Sequence, residues 1–309
     1  MRKKYKKFWF RFSAIFLALL ICLIVLESFC RQKIVYNLGL KEVIRHSDID
    51  NLFHELKPNS EVIFTGQFVE LAPTRIKISS QGIRDYEYAV KKGDNVYRII
   101  ILGDSVAFGW GVKLEDTFAK YLERLLNSEG QGKIYEVINF AVPGYNMLQE
   151  VITLKEKCLK YEPDLVIFHV VGNDYIPLFN HIYPMPIFKF LPEFFFNSRF
   201  FRWLATRVVF DKEKDLLNQM EKGMRDVEIA VRQVKSICDK NMLQVLFYSD
   251  VGWLKPVLEE YDLMSWVISP DERVYKATFK EDKHANAYGH QLIGERIYDD
   301  LKERGILGS

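Results

Sequence analysis

Cysteine is scarce: four residues in 309, Cys22, Cys30, Cys158 and Cys238, with no Cys-x-x-Cys spacing. That pattern indicates neither a disulfide framework nor a thiolate zinc site. Neither Cys22 nor Cys30 follows the small residues that a lipoprotein signal requires. Histidine is also sparse, at six residues, and no metal-ligand constellation emerges, so neither a metal nor another cofactor is expected. An excess of one charge is missing as well. Eight of the 43 Lys and Arg lie in residues 1–33 against one of the 41 acids, leaving 35 against 40, a net −5, beyond that point. Such a body offers no basic field for a phosphate backbone, and nucleic acid is excluded as a partner. There is no internal repeat. What remains, 49% hydrophobic and 27% charged residues, suits a globular domain with a substantial core.

The one long hydrophobic run lies at the N-terminus. Phe12 to Leu26 carries no charge, and Phe8-Trp9-Phe10 extends it past Arg11. At about 1.5 Å per residue a helix of this length approaches the hydrocarbon thickness of a bilayer. Arg11 can reach the headgroups, and the basic cluster before the run predicts a cytoplasmic N-terminus with the remainder extracytoplasmic. A cleaved signal peptide is the rival reading. No Ala-x-Ala-like site follows the run, so a single-pass membrane anchor over 1–33 is preferred.

Residues 34–97 read as a membrane-proximal linker and lead-in, with short alternating stretches between Glu61 and Ser79 that suggest strands. From Arg98 the pattern becomes regular. Arg98 to Leu102 is a β-branched, apolar run of the kind buried on both faces of a parallel sheet. Further strands are predicted over Tyr135–Val142, Asp164–Val171 and Leu243–Tyr248, with a fifth over Arg273–Phe279. Helical spacing is present over Thr117–Leu126, Leu148–Tyr161, Asp211–Lys240 and Asn286–Arg304. Alternating strands and helices predict an α/β domain over 98–309, with a mostly parallel sheet and right-handed crossovers. An aromatic, proline-punctuated insert at about 176–210 interrupts it, readable as a lid, a packed excursion or a segment dipping into the membrane surface.

Polar residues gather at the ends of these strands. Ser105 stands at the turn from the first strand into a helix, where open α/β sheets place their ligands. Gly144 and Asn173 follow the next two strands, and Glu281, Asp282 and His284 precede the last helix. A serine needs a base to become a nucleophile, and the base needs an orienting carboxylate. The Ser105 and Gly144 N–H groups and the Asn173 amide would complete an oxyanion hole. Asp104 and Asp174 read as loop braces, His169 as packed within a strand, and His290 as a surface residue of the last helix.

Four segments, Gly103-Asp104-Ser105, Asn139-Phe140-Ala141-Val142-Pro143-Gly144, Gly172-Asn173-Asp174 and the acid-plus-histidine stretch ending at His284, stand in the order of the four blocks of the SGNH (GDSL-type) hydrolases. The sequence resembles that family, and Ile76 to Asp85 resembles the lead-in of its secreted or anchored bacterial members. The resemblance implies a three-layer α/β/α, flavodoxin-like sandwich and ester hydrolysis through an acyl-enzyme on Ser105. It implies His284 as base and Ser105, Gly144 and Asn173 as oxyanion donors. The family's usual acid position, three residues before the histidine, holds Glu281; Asp282, two before, is the preferred acid and Glu281 the alternative. The expected partner is an acyl ester, of which an O-acetylated glycan is one example. An O-acyltransferase acting on an envelope polysaccharide and a non-catalytic, anchored carbohydrate-binding protein are the alternatives. The oligomeric state is not indicated.

Overall fold

The computed structural model describes residues 2–33, 40, 42–64, 71, 73–129, 132–176 and 214–307. The expected aromatic insert, apart from Ile176, lies outside them. Helix α1 (Arg2–Lys33) contains Trp9–Leu26, 18 residues of mean hydropathy 2.5, none of them buried, long and apolar enough to cross a membrane. Two antiparallel hairpins follow: β1 (Ile44–His46) with β2 (His54–Leu56), and β3 (Glu61–Phe64) with β4 (Thr74–Lys77).

The main sheet begins with β5 (Val96–Gly103), which runs into the single-turn helix α2 (Ser105–Phe108). Then come α3 (Phe118–Ser128), β6 (Ile134–Asn139), α4 (Met147–Thr153), β7 (Leu165–His169), α5 (Lys214–Asn241) and β8 (Gln244–Tyr248). The order closes with α6 (Leu254–Glu260), β9 (Val267–Ile268) and α7 (Ala287–Glu303). All five main strands are parallel, in the order β6-β5-β7-β8-β9. This is the doubly wound, flavodoxin-like arrangement, and its topological switch point lies between β5 and β7.

Alternation along each strand feeds two cores. Ile99 and Ile101 of β5, Leu165 and Ile167 of β7 and Leu246 of β8 pack with Phe118 and Leu122 of α3 and Ile293 and Ile297 of α7. Ile100 and Leu102, Val166 and Phe168, and Val245 and Phe247 point the other way, toward Val151 of α4, Val227 and Val231 of α5 and Leu258 of α6. A strand with both faces apolar is therefore sandwiched between two helical layers, as its sequence predicts. The first core also takes in Leu40, Val43, Leu52, Leu56, Phe64 and Ile76. The hairpins thus pack on the same face as α3 and α7.

Three expectations change. The fifth strand is Val267–Ile268, two residues beside Phe247 and Tyr248, too short to leave a periodicity. The segment expected there is instead a 3₁₀ turn over Glu272–Lys276, which the Asp271 side chain caps by accepting from the Arg273 N–H. The helix expected over Leu148–Tyr161 is α-helical only to Thr153, then widens into a π turn over Leu154–Cys158 and tightens into a 3₁₀ turn over Leu159–Tyr161. His290 is buried, not on the surface: it is 1% exposed and its Nδ1 accepts the Phe118 N–H at 3.2 Å. Apolar Leu292 and Ile293 beside it turn that face of α7 inward.

Candidate active site

The strand-to-helix turn at β5 is shaped by glycine. A Cβ on Gly103 would stand 2.6 Å from the Ala107 Cβ and 3.1 Å from the His169 carbonyl oxygen, so only glycine lets β5 turn this tightly beside β7. Asp104 then caps α2, its Oδ1 accepting the Val106 N–H at 2.9 Å. Ser105 becomes the first residue of α2, half-buried at the carboxyl edge of the sheet.

The segment before α7 brings the histidine back to it. Ser105 Oγ lies 2.8 Å from His284 Nε2, and His284 Nδ1 lies 2.5 Å from Asp282 Oδ1. Asp282 also accepts the His284 backbone N–H, at 3.3 Å. With Nδ1 donating to the carboxylate, Nε2 is the bare nitrogen and accepts the Ser105 hydroxyl proton. Burial pushes the Asp282 carboxyl up, but the bonds and charge of His284 outweigh it and hold Asp282 below the ordinary carboxylate range. Asp282 is the carboxylate on Nδ1; Glu281, next to it, is exposed. The indole of Trp110 stacks on His284 at 5.5 Å between centroids and fixes the plane of the ring.

The two flanking loops complete the rim. Gly144, after β6, is exposed and has φ of 79°, a left-handed turn that glycine adopts freely. Asn173, after β7, is exposed and donates its Nδ2–H to Asp104 Oδ2 at 3.3 Å. The same oxygen lies 3.2 Å from Ser105 Oγ. Hydrogen bonds thus run from Asp282 through His284 to Ser105, and Asp104 links Ser105 to Asn173, with Gly144 on the adjoining loop. This arrangement has the parts for acyl transfer: a hydroxyl, a base, an orienting carboxylate and amide donors beside the hydroxyl.

Residues 99–235 match the model of a family described as GDSL-like Lipase/Acylhydrolase. That segment is a GDSL-like lipase/acylhydrolase domain. Among solved structures, this GDSL-type domain resembles TesA, at 14% identity and a TM-score of 0.44 over 67% of this chain and 98% of that one. It also resembles the esterase EstA of Pseudoalteromonas sp., at 15% identity and a TM-score of 0.44 over 68% of this chain and 98% of that one. A third is a two-domain esterase active on acetylated mannans, at 19% identity and a TM-score of 0.45, over 67% of this chain and 49% of that one. No curated protein matches the chain in sequence. The family match ends before Asp282 and His284, so their place in the site rests on the distances above.

Sequence reasoning passed over three residues that hold the GDSL-type site in shape. Arg84 is 2% exposed and donates to the carbonyls of Phe108 (2.9 Å), Gly109 (2.6 Å) and Val112 (2.6 Å), fixing the loop that carries Trp110. Burial pulls its guanidinium down to about 10, against the pull of Glu115 and Asp85. His54 of β2 is fully buried, and its Nε2 meets the Pro143 carbonyl at 3.0 Å, beside Gly144. Trp110 is the third. Arg84 stood inside the lead-in segment, but nothing in its neighbours showed that its partners would be carbonyls about 25 residues downstream. Among the described residues no group of three or more His, Cys, Asp or Glu is placed to hold a metal ion.

Proposed function

We propose that the protein is a serine esterase that cleaves an acyl or O-acetyl ester through an acyl-enzyme on Ser105. The observation that carries the reading is the continuous relay Ser105 Oγ–His284 Nε2 at 2.8 Å and His284 Nδ1–Asp282 Oδ1 at 2.5 Å, set at the carboxyl edge of a parallel sheet. In this scheme Ser105 Oγ attacks the ester carbonyl while its proton passes to His284 Nε2. Asp282 stabilises the imidazolium that forms. The carbonyl oxygen becomes an oxyanion, held by the N–H groups of Ser105 and Gly144 and by Asn173 Nδ2, which leaves Asp104 to meet it. His284 returns the proton to the departing alkoxide as the C–O bond breaks, leaving acyl-Ser105. A water then gives a proton to His284 and its oxygen to the acyl carbon; the proton returns to Ser105 as the acid leaves. In this reading α1 anchors the chain as a single pass, with the hydrolase on the extracytoplasmic side.

The test is covalent labelling of the 309-residue chain in mild detergent with a fluorophosphonate, alongside hydrolysis of p-nitrophenyl acetate. A label mapped to Ser105, lost in Ser105→Ala and matched by release of free acetate, supports the esterase. No label and no release would return the chain to a binding role. Acetate found on an added oligosaccharide rather than in solution would make it a transferase.

A further inference from the structure

Beneath the Asn173 loop lie two carboxyls that the scheme above does not use. Glu150 of α4 is 0% exposed and Asp174 is 1% exposed. Neither oxygen of Glu150, nor Oδ1 of Asp174, meets a hydrogen-bond donor among the described residues. Asp174 is otherwise firmly tied: its Oδ2 accepts the Val171 N–H at 2.7 Å and its backbone carbonyl accepts the Met147 N–H at 3.1 Å. That second bond docks the loop on the first turn of α4, and Glu150 stands three residues after Met147, on the same helix face. Asn146, the cap of α4, adds a bond to the Ile176 carbonyl at 3.2 Å. The loop 171–176, with Asn173 at its tip, therefore rests on the end of α4 where Glu150 is buried.

We infer that Glu150 and Asp174 share a single proton and that this pair is the positioning element for the loop presenting Asn173. Two ionised carboxylates cannot occupy one dry site, whereas one proton between them gives each side a hydrogen-bond partner. The proton belongs on Glu150, which has no donor, and the charge on Asp174, whose Oδ2 accepts a backbone N–H. The O–H of Glu150 then has Asp174 Oδ1 as its acceptor. Among the described residues no cation pairs with either carboxyl. Burial, then the charge of Asp104, pushes Glu150 well above the ordinary carboxylate range. Asp174 is raised by burial, then by Glu150 and Asp104, against the pull of its bond from Val171. His169 on β7, whose ring stacks on Phe118 and Tyr248, is driven toward its neutral form by burial, against the pull of Asp104. From α5 the cover over α4 is apolar: Val227, Ala230, Val231 and Val234.

Loss of the shared proton adds a second negative charge under the place where the oxyanion forms and removes the side-chain bond beneath the loop, leaving the bonds from Met147 and Asn146 to hold it. Activity should accordingly be present while the pair keeps its proton and fall as rising pH removes it. This inference rests on the proposed role of Asn173. The experiment is kcat and KM against pH for the 309-residue chain in detergent, for wild type, Glu150→Gln and Glu150→Leu. Glutamine keeps a donor without a titratable proton, so kcat at neutral pH should stay within about threefold of wild type while the alkaline fall disappears. Leucine removes the bond, and kcat should drop about tenfold with KM little changed. An alkaline fall unaltered in Glu150→Gln, or wild-type kcat in Glu150→Leu, overturns the pairing.

Thermal unfolding reads the same proton without any catalysis. A carboxyl raised in the folded state makes stability decline as pH rises from the ordinary carboxylate range to the folded value, so the decline should be shallower in Glu150→Gln. If no ester is cleaved by wild type, the esterase reading fails while this comparison still decides the pair; equal slopes overturn it. Should Glu150→Gln not fold, the infrared carbonyl stretch of a protonated carboxylic acid in wild type at mildly alkaline pH decides it, and absence of that band refutes the shared proton.

Discussion

Replacing Asp282 by Asn removes a charge at the point where the relay needs it. During proton transfer His284 becomes an imidazolium whose Nδ1 lies 2.5 Å from Asp282 Oδ1, and the Asp282 side chain is only 11% exposed. For charge centres about 4 Å apart at an effective dielectric of about 20, the attraction is about 4 kcal/mol. At about 1.4 kcal/mol per decade that is about 10³-fold in kcat. The amide also favours the wrong imidazole tautomer, and the matching change in a serine protease costs about 10⁴-fold, which sets the upper end. Glu281→Gln, one position away and exposed, should change kcat by less than about twofold. The assay is steady-state hydrolysis of p-nitrophenyl acetate, with the fluorophosphonate labelling rate as a second reading of nucleophile activation. A larger loss in Glu281→Gln than in Asp282→Asn, or a loss below about tenfold in Asp282→Asn, would refute the reasoning.

Ser105→Ala should abolish turnover and labelling while leaving the melting temperature within about 2 °C, since the half-buried hydroxyl contributes little packing. Asn173→Ala should lower kcat about 10²–10³-fold with little change in KM, measured under saturating ester. Arg84→Met should destabilise by about 3–5 kcal/mol in urea unfolding, because three carbonyls lose a buried charged donor. His54 is pushed down to about 4 by burial, against the pull of its bond to Pro143. The unfolded chain thus binds more protons between about pH 4 and 6.5, so stability should fall as pH drops through that window, and less so in His54→Gln.

The reagents were legible in the sequence and their supports were not, for a physical reason. Ser105, Gly144 and Asn173 each follow a buried strand at a break in its pattern, and a parallel sheet puts such breaks on one edge. Periodicity alone therefore brings them together. The choice between Asp282 and Glu281 is different. It depends on which carboxylate the turn before α7 aims at Nδ1, and Lys283 in that turn has φ of 71°, a conformation its residue type does not announce. The two-residue β9 is held by pairing with β8 rather than by its own composition. A histidine at the start of a helix reads as exposed, but His290 is buried because its neighbours on α7 face α3. Arg84 and His54 give no local signal because each meets its partner across a long sequence separation, and Glu150 gives none because its oxygens meet no donor among the described residues.

Those supports share one physical logic. Each loop of the site must be held against the tendency of surface loops to wander, yet its tip must stay exposed to meet an ester. A brace on the exposed side would block the substrate, so the restraint has to come from beneath, through buried polar contacts. Arg84 ties the carbonyls after α2 and so sets Trp110 against His284. His54, from a hairpin that precedes the sheet in sequence, ties the Pro143 carbonyl beside Gly144. Asp174 and Glu150 tie the Asn173 loop to α4. Three loops are held by three different elements, which makes their errors independent: loosening one misplaces one donor without moving the others. Substitutions at the braces should then combine nearly additively in kcat, whereas substitutions within the Ser105–His284–Asp282 relay, whose members act as one unit, should not.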